Sequence, residues 1–259
     1  MTATSPYWIP SNLATEVYAA VHSASTPLML FGSFARGDAS EHSDIDVLEL
    51  SERRRRPYKS GRINVSVYDK PTLSRMAERG SLFVLHLRLE GKILRDRVHA
   101  LQHCLDKYQS PTTYGPFRSA LREIANLLDV DQKQYEHRWR AYNELAMYII
   151  RSELYARLVE AGEPLFNVQA VEKRIGREDV SRVFRLKDSV ALNYNLFCES
   201  KAVISDLLAT KLENPFGSAE ALITNLGDKN PLLVAFGLRL LGREKFELSY
   251  DLLTAPPFA

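Results

Sequence analysis

The stretch from Phe31 to Leu50, FGSFARGDASEHSDIDVLEL, constrains this chain more than any other. The apolar run Pro27-Leu28-Met29-Leu30-Phe31 leads into it and reads as a buried strand that delivers the backbone to a Gly32-Ser33 turn. Glycine lets a backbone approach a phosphate closely. The N–H groups exposed at such a turn, together with the Ser33 hydroxyl, can receive anionic oxygens. After ten intervening residues comes Asp44-Ile45-Asp46-Val47, which reads as a second strand. Successive strand side chains point to opposite faces, so Asp44 and Asp46 share a face while Ile45 and Val47 turn into a core. Two carboxylates so placed suit magnesium, which takes oxygen ligands and is commonly held by one or two carboxylates plus the phosphates of a substrate.

Taken together, the Gly32-Ser33 turn, the Arg36-Gly37 pair, Ser43 and the Asp44-Ile45-Asp46-Val47 strand resemble the nucleotidyltransferase superfamily of DNA-polymerase-β-like enzymes, and within it the minimal nucleotidyltransferases. The resemblance covers about residues 27 to 98, with Gly80-Ser81-Leu82-Phe83 and Leu89-Glu90-Gly91-Lys92-Ile93-Leu94 similar to later segments of such domains. It implies an α/β domain with a mixed sheet. It also implies a nucleoside triphosphate substrate, a magnesium or manganese cofactor held by Asp44 and Asp46, and triphosphate contacts from Gly32, Ser33, Arg36 and Ser43. The reaction implied moves a nucleoside monophosphate, AMP or CMP being expected, to a hydroxyl on a protein, an RNA such as tRNA, or a small molecule. Arg36 suits a phosphate because its guanidinium presents a fork of donors. As a surface arginine it would instead close the turn.

The sequence departs from the family at the third carboxylate. Members of the superfamily place it on the neighbouring strand, which here reads Arg62-Ile63-Asn64-Val65-Ser66-Val67-Tyr68-Asp69. By alternation Asn64, Ser66 and Tyr68 share the face opposite Ile63, Val65 and Val67, and none is an acid. Asp69 and Glu49 both have the wrong parity. The candidates to replace the missing acid are Asn64 or Ser66 as neutral ligands, and Glu144 or Glu153 as acids borrowed from a later helix, the way kanamycin-type relatives borrow a glutamate. A nucleotide-binding or antitoxin-like module with a protein partner and little transferase activity is the alternative.

Beyond that domain the expectation is an all-α region, with the boundary in Gln109–Pro116, giving a catalytic domain over 1–110 and a helical domain over 111–259. The spacing predicts a first helix over 12–22, strands over 28–31, 44–50 and 62–68, and a helix opening at Pro71. It then predicts a helix over 81–90 and a strand over 92–94. Later helices are expected over 141–161, 168–175, 188–210, 217–226 and 231–241.

A formal charge of +2 excludes a protein that is basic all over, yet Arg53 to Arg56 with Lys59 and Arg62 form a local cluster that suits phosphates. A solvated loop is the plain alternative. A second run, Lys173, Arg174, Arg177, Arg182, Arg185 and Lys187, is placed to close over a triphosphate or to form an ordinary helix surface, with Lys187 a further candidate contact. Arg79 with His86 and Arg97 with His103 loosely fit a ribonuclease spacing, but such short patterns arise by chance and the reading is rejected. Cys104 and Cys198 are the two cysteines, both expected as buried thiols rather than a disulfide. With no signal-peptide pattern and no apolar run of membrane-spanning length, a cytoplasmic protein is expected.

Overall fold

The computed structural model describes residues 11–21, 25–41, 43–53 and 55–243. The chain divides into two compact units, one running up to Pro111 and the other from Thr112 on.

The first unit is built on a five-stranded mixed sheet in the order β3-β4-β2-β1-β5. Its strands are β1 (Leu28–Phe31), β2 (Ile45–Ser51), β3 (Tyr58–Ser60), β4 (Ile63–Asp69) and β5 (Lys92–Arg95). β1 runs antiparallel to β2 and to β5, β2 pairs in parallel with β4, and β3 pairs antiparallel with β4. Around it lie α1 (Ser11–Ala20), α2 (Gly32–Arg36), α3 (Lys70–Glu78), α4 (Leu82–Glu90) and α5 (Ala100–Asp106). The mixed α/β architecture expected from the sequence is present.

Both faces of the sheet are covered. Leu28, Leu30, Ile45, Val47, Ile63, Val65 and Val67 pack with Leu13 and Val17 of α1 in one core. Met29, Phe31, Leu48, Leu50 and Tyr68 pack in another with Leu73 and Met76 of α3, Phe83 and Leu87 of α4, and Leu101 of α5. The alternation that separates Asn64 and Tyr68 from Val65 therefore separates two buried layers, and Asp46 and Asn64 are half-buried members of the second. Asp69 ends β4 by capping α3, its Oδ1 accepting from the Thr72 N–H at 2.7 Å, with Pro71 in the first turn where a missing N–H costs nothing. β3 is absent from the sequence expectation. It is three residues long, and the four arginines and Pro57 before it hide its pattern.

The second unit is helical: α6 (Gly115–Ala125), α7 (Gln132–Glu160), α8 (Val168–Ile175), α9 (Glu178–Val183), α10 (Tyr194–Leu208), α11 (Ala219–Leu226) and α12 (Pro231–Leu240). The helix expected over 141–161 is the longer α7, which opens on an Asp131–Gln134 capping box and is broken at Arg138. The helix expected over 188–210 begins later, at Tyr194. Leu121, Ile124, Leu145, Ile149, Phe197, Ile204 and Leu233 are buried. Tyr135 stacks on Phe197 with ring centroids 4.3 Å apart. Cys104 is buried, but Cys198 is exposed, contrary to expectation. On α10 the buried stripe runs through Phe197, Ser200, Val203, Ile204 and Leu207, and Cys198 falls beside it. Among the described residues, no helix is long and apolar enough to cross a membrane.

Candidate functional site

The turn between β1 and α2 is shaped by Gly32. Its φ is +72°, and a Cβ added there would lie 2.7 Å from Asp46 Oδ2. Glycine is required twice over, for the left-handed backbone and for the contact. The register explains the contact: Phe31 is the cross-strand partner of Asp46, so the turn leaves β1 beside that carboxylate. Gly37, at φ +86°, ends α2 with its N–H on the Ser33 carbonyl at 2.9 Å.

Asp46 lies between Ile45 and Val47, both fully buried, and is itself half-buried on the other face. Asp44 precedes the strand and is exposed. Across β4, Asn64 is the register partner of Asp46 and donates from Nδ2 to Asp46 Oδ1 at 3.4 Å. With the amide so turned, Asn64 Oδ1 is buried and has no hydrogen-bond partner. One strand further, Lys59 of β3 is the partner of Asn64, and its ammonium lies 3.2 Å from Asp44 Oδ1. Phe31, Asp46, Asn64 and Lys59 thus form one cross-strand row on one face, ending at the Gly32 turn. Lys59 was visible in the sequence only as one of a basic cluster; its signal was the parity of the three-residue strand Tyr58–Ser60.

The other candidates are placed as follows. Ser66 pairs with Leu48, is buried, and lies one strand repeat away from the Asp46–Asn64 pair. Ser43 closes its own loop, its Oγ accepting from the Ser40 N–H at 2.9 Å. Arg36 donates to Asp38 at 3.0 Å and to Glu90 at 2.8 Å. Partial burial opposes ionisation of Glu90, but His86, 3.0 Å away, and Arg36 hold its carboxyl below the ordinary range. Glu49 faces the α1 core, away from the aspartates, and accepts from Tyr58 at 3.0 Å and Thr26 at 3.1 Å.

In the second unit Glu144 is paired with Arg239, and buried Glu153 with Arg118 at 3.0 Å and Arg157 at 2.6 Å. The Lys187 side chain lies outside the described residues. Arg174 and Arg177 of the same run are engaged by Glu163, and by Asp179 and Asp206.

The donor set fits a hard divalent cation. Asp44 and Asp46 supply carboxylate oxygens, and Asn64 leaves a buried carbonyl oxygen unsatisfied beside them. Among the described residues no group of three or more acids, histidines or cysteines is placed to hold a metal.

The first unit thus joins a mixed sheet to a glycine turn packed against an aspartate on the adjacent strand. Residues 22–128 match the family model of the nucleotidyltransferase domain. The match extends past the first unit into α6. No curated protein matches the chain. Among solved structures, the chain is similar to a nucleotidyltransferase-like protein from Exiguobacterium sibiricum 255-15, at 15% identity over 88% of this chain and 89% of that one. The TM-score is 0.31, a likeness too loose to carry any inference.

Proposed function

We propose that the first unit binds a nucleoside triphosphate at the Gly32–Ser33 turn and transfers its nucleoside monophosphate to a hydroxyl acceptor, with Asp44 and Asp46 as the essential acids. The packing of Asp46 Oδ2 against Gly32 carries this reading, since it puts a carboxylate where a backbone able to cradle phosphate turns. Magnesium or manganese held by Asp44 and Asp46 would neutralise the charge that builds on the phosphates. The Gly32 and Ser33 backbone would orient the triphosphate for displacement in line, where positioning accounts for much of the catalysis. The acceptor oxygen bonds to the α-phosphorus, the bond from that phosphorus to the pyrophosphate oxygen breaks, pyrophosphate leaves, and the acceptor proton passes to water. Asn64 orients Asp46 through Nδ2 and offers Oδ1 to the incoming hydroxyl. Arg36 serves by holding α2 to α4 through Glu90.

The test is label transfer from each α-phosphate-labelled nucleoside triphosphate into a cell extract, with Asp44→Asn and Asp46→Asn as controls. Loss of label in both variants, with circular dichroism unchanged, supports the assignment; undiminished transfer by either sinks it. A second reading, a nucleotide-binding module with a protein partner, draws on the amide at position 64. It predicts triphosphate binding without aspartate-dependent label, and a protein that co-purifies in fixed ratio.

A further inference from the structure

Between Arg53 and Arg62 the chain places six basic residues and no acid, while the whole chain sums to only +2. The rest of the chain is therefore net negative. This stretch leads into and through β3, the terminal strand in the sheet order, and β3 delivers Lys59 to the row that holds Asn64 and Asp46. Arg62 is held in place by Glu16 at 2.9 and 2.8 Å and lies over the Phe34 ring. Arg53 and Arg55 are exposed, and among the described residues neither forms an ion pair. Lys59 and Asp44 are 44% and 47% exposed, so their ion pair is a surface pair of small worth that a phosphate and a cation can exchange.

The row has a direction. The phosphate-cradling turn lies at one end and the basic edge at the other, with Asp46 and Asn64 between. Lys59 is two strand spacings from Asp46, roughly 10 Å between backbones, and its ammonium reaches to within 3.2 Å of Asp44 Oδ1. We propose that the acceptor is the hydroxyl end of a single-stranded nucleic acid that enters across β3, its phosphates taken by Arg53 and Arg55 and its last phosphate by Lys59. This inference rests on the nucleotidyl-transfer reading of Asp44 and Asp46. Guanidinium forks match phosphate oxygens, and the acceptor such a stretch fits carries phosphates close to a free hydroxyl.

The test uses the full chain and a fluorescein-labelled single-stranded RNA oligonucleotide with a free 3′ hydroxyl, read by anisotropy over a salt series. A fluorescent ATP analogue is titrated in parallel. Arg53→Ala/Arg55→Ala should weaken RNA binding and lower the slope of log affinity against log salt by about 1.4, at ~0.7 per phosphate contact on a single strand. ATP-analogue binding and circular dichroism should not change. RNA binding with the same affinity and slope in the double variant overturns the proposal, as does a wild-type chain that does not bind RNA. Label from extract that protease removes and nuclease does not also overturns it, in favour of an acidic protein acceptor. Arginine-dependent RNA binding by a chain that fails to bind the ATP analogue supports the surface and overturns the triphosphate reading instead.

Discussion

Gly32→Ala separates backbone strain from damage to the site, because Gly37 supplies the control. Both glycines are left-handed, at φ +72° and +86°, but a Cβ at Gly37 meets nothing within 4 Å while one at Gly32 lies 2.7 Å from Asp46 Oδ2. A left-handed backbone costs an L-residue roughly 1–2 kcal/mol, so both alanine variants should lose that much stability in urea denaturation followed by circular dichroism. Ordinary contact begins near 3.4 Å, so in Gly32→Ala the Asp46 carboxylate must retreat by about 0.7 Å or the turn must open by the same amount. Misplacement on the 1 Å scale can cost ~100-fold in rate. Label transfer by Gly32→Ala should therefore fall at least ~10-fold, with Gly37→Ala held within ~2-fold of wild type. Equal transfer by the two variants, or wild-type transfer by Gly32→Ala, would refute the contact between turn and aspartate as the basis of the site.

Asn64→Asp restores an acid on β4 at the register position of Asp46, and should tighten Mn2+ binding measured by calorimetry without nucleotide; unchanged or weaker binding would mean that position 64 does not face the cation. Glu153→Gln removes a buried carboxylate shared by Arg118 and Arg157, and charged hydrogen bonds of this kind are worth about 1.5–3 kcal/mol each. The urea midpoint should fall accordingly, and an unmoved midpoint would show that the pairs contribute nothing. For acid stability, Arg118 hydrogen bonds hold the Glu160 carboxyl below its ordinary 4.5. Glu90 is likewise held low by His86 and Arg36 against its partial burial. A carboxyl depressed in the folded state contributes stability that is complete above its unfolded pKa and is lost as pH falls through the folded one. The midpoint should therefore hold down to about pH 4.5 and drop below it, with a smaller drop in Glu160→Gln; a midpoint indifferent to acid would contradict both pairs.

The parts legible in the sequence were those that a local pattern determines. The Pro27–Phe31 run, the Gly32-Ser33 turn and the parity of Asp44 and Asp46 are fixed within a few residues of chain, and the structure carries each of them. Pro71 announced α3 for the same reason, as a first-turn proline. What failed depended on partners far along the chain. The second core under Tyr68 needed α3, α4 and α5 to exist, and alternation alone does not say whether the second face of a sheet meets helices or water. β3 pairs its three residues with a strand whose register is set by β2, so Lys59 became a site residue only through two successive pairings. Asn64 was legible as an amide in place of an acid, but its unsatisfied Oδ1 is a property of three-dimensional packing.

Two acids on β2, Asp46 and Glu49, show how far parity decides the surroundings of a side chain. Glu49 is almost fully buried, and a carboxylate there needs its hydrogen bonds from Tyr58 and Thr26 to offset desolvation. Asp46, three residues earlier, has opposite parity and faces the Gly32 turn. Tyr58 belongs to β3, beside Lys59. The buried acid on one face therefore anchors the edge strand that carries the basic row on the other, and a strand of only three residues needs such an anchor because its ladder alone is short. On the proposed reading the site acts through Asp44, Asp46 and the Gly32 turn, while the placement of its basic edge depends on Glu49 on the opposite face.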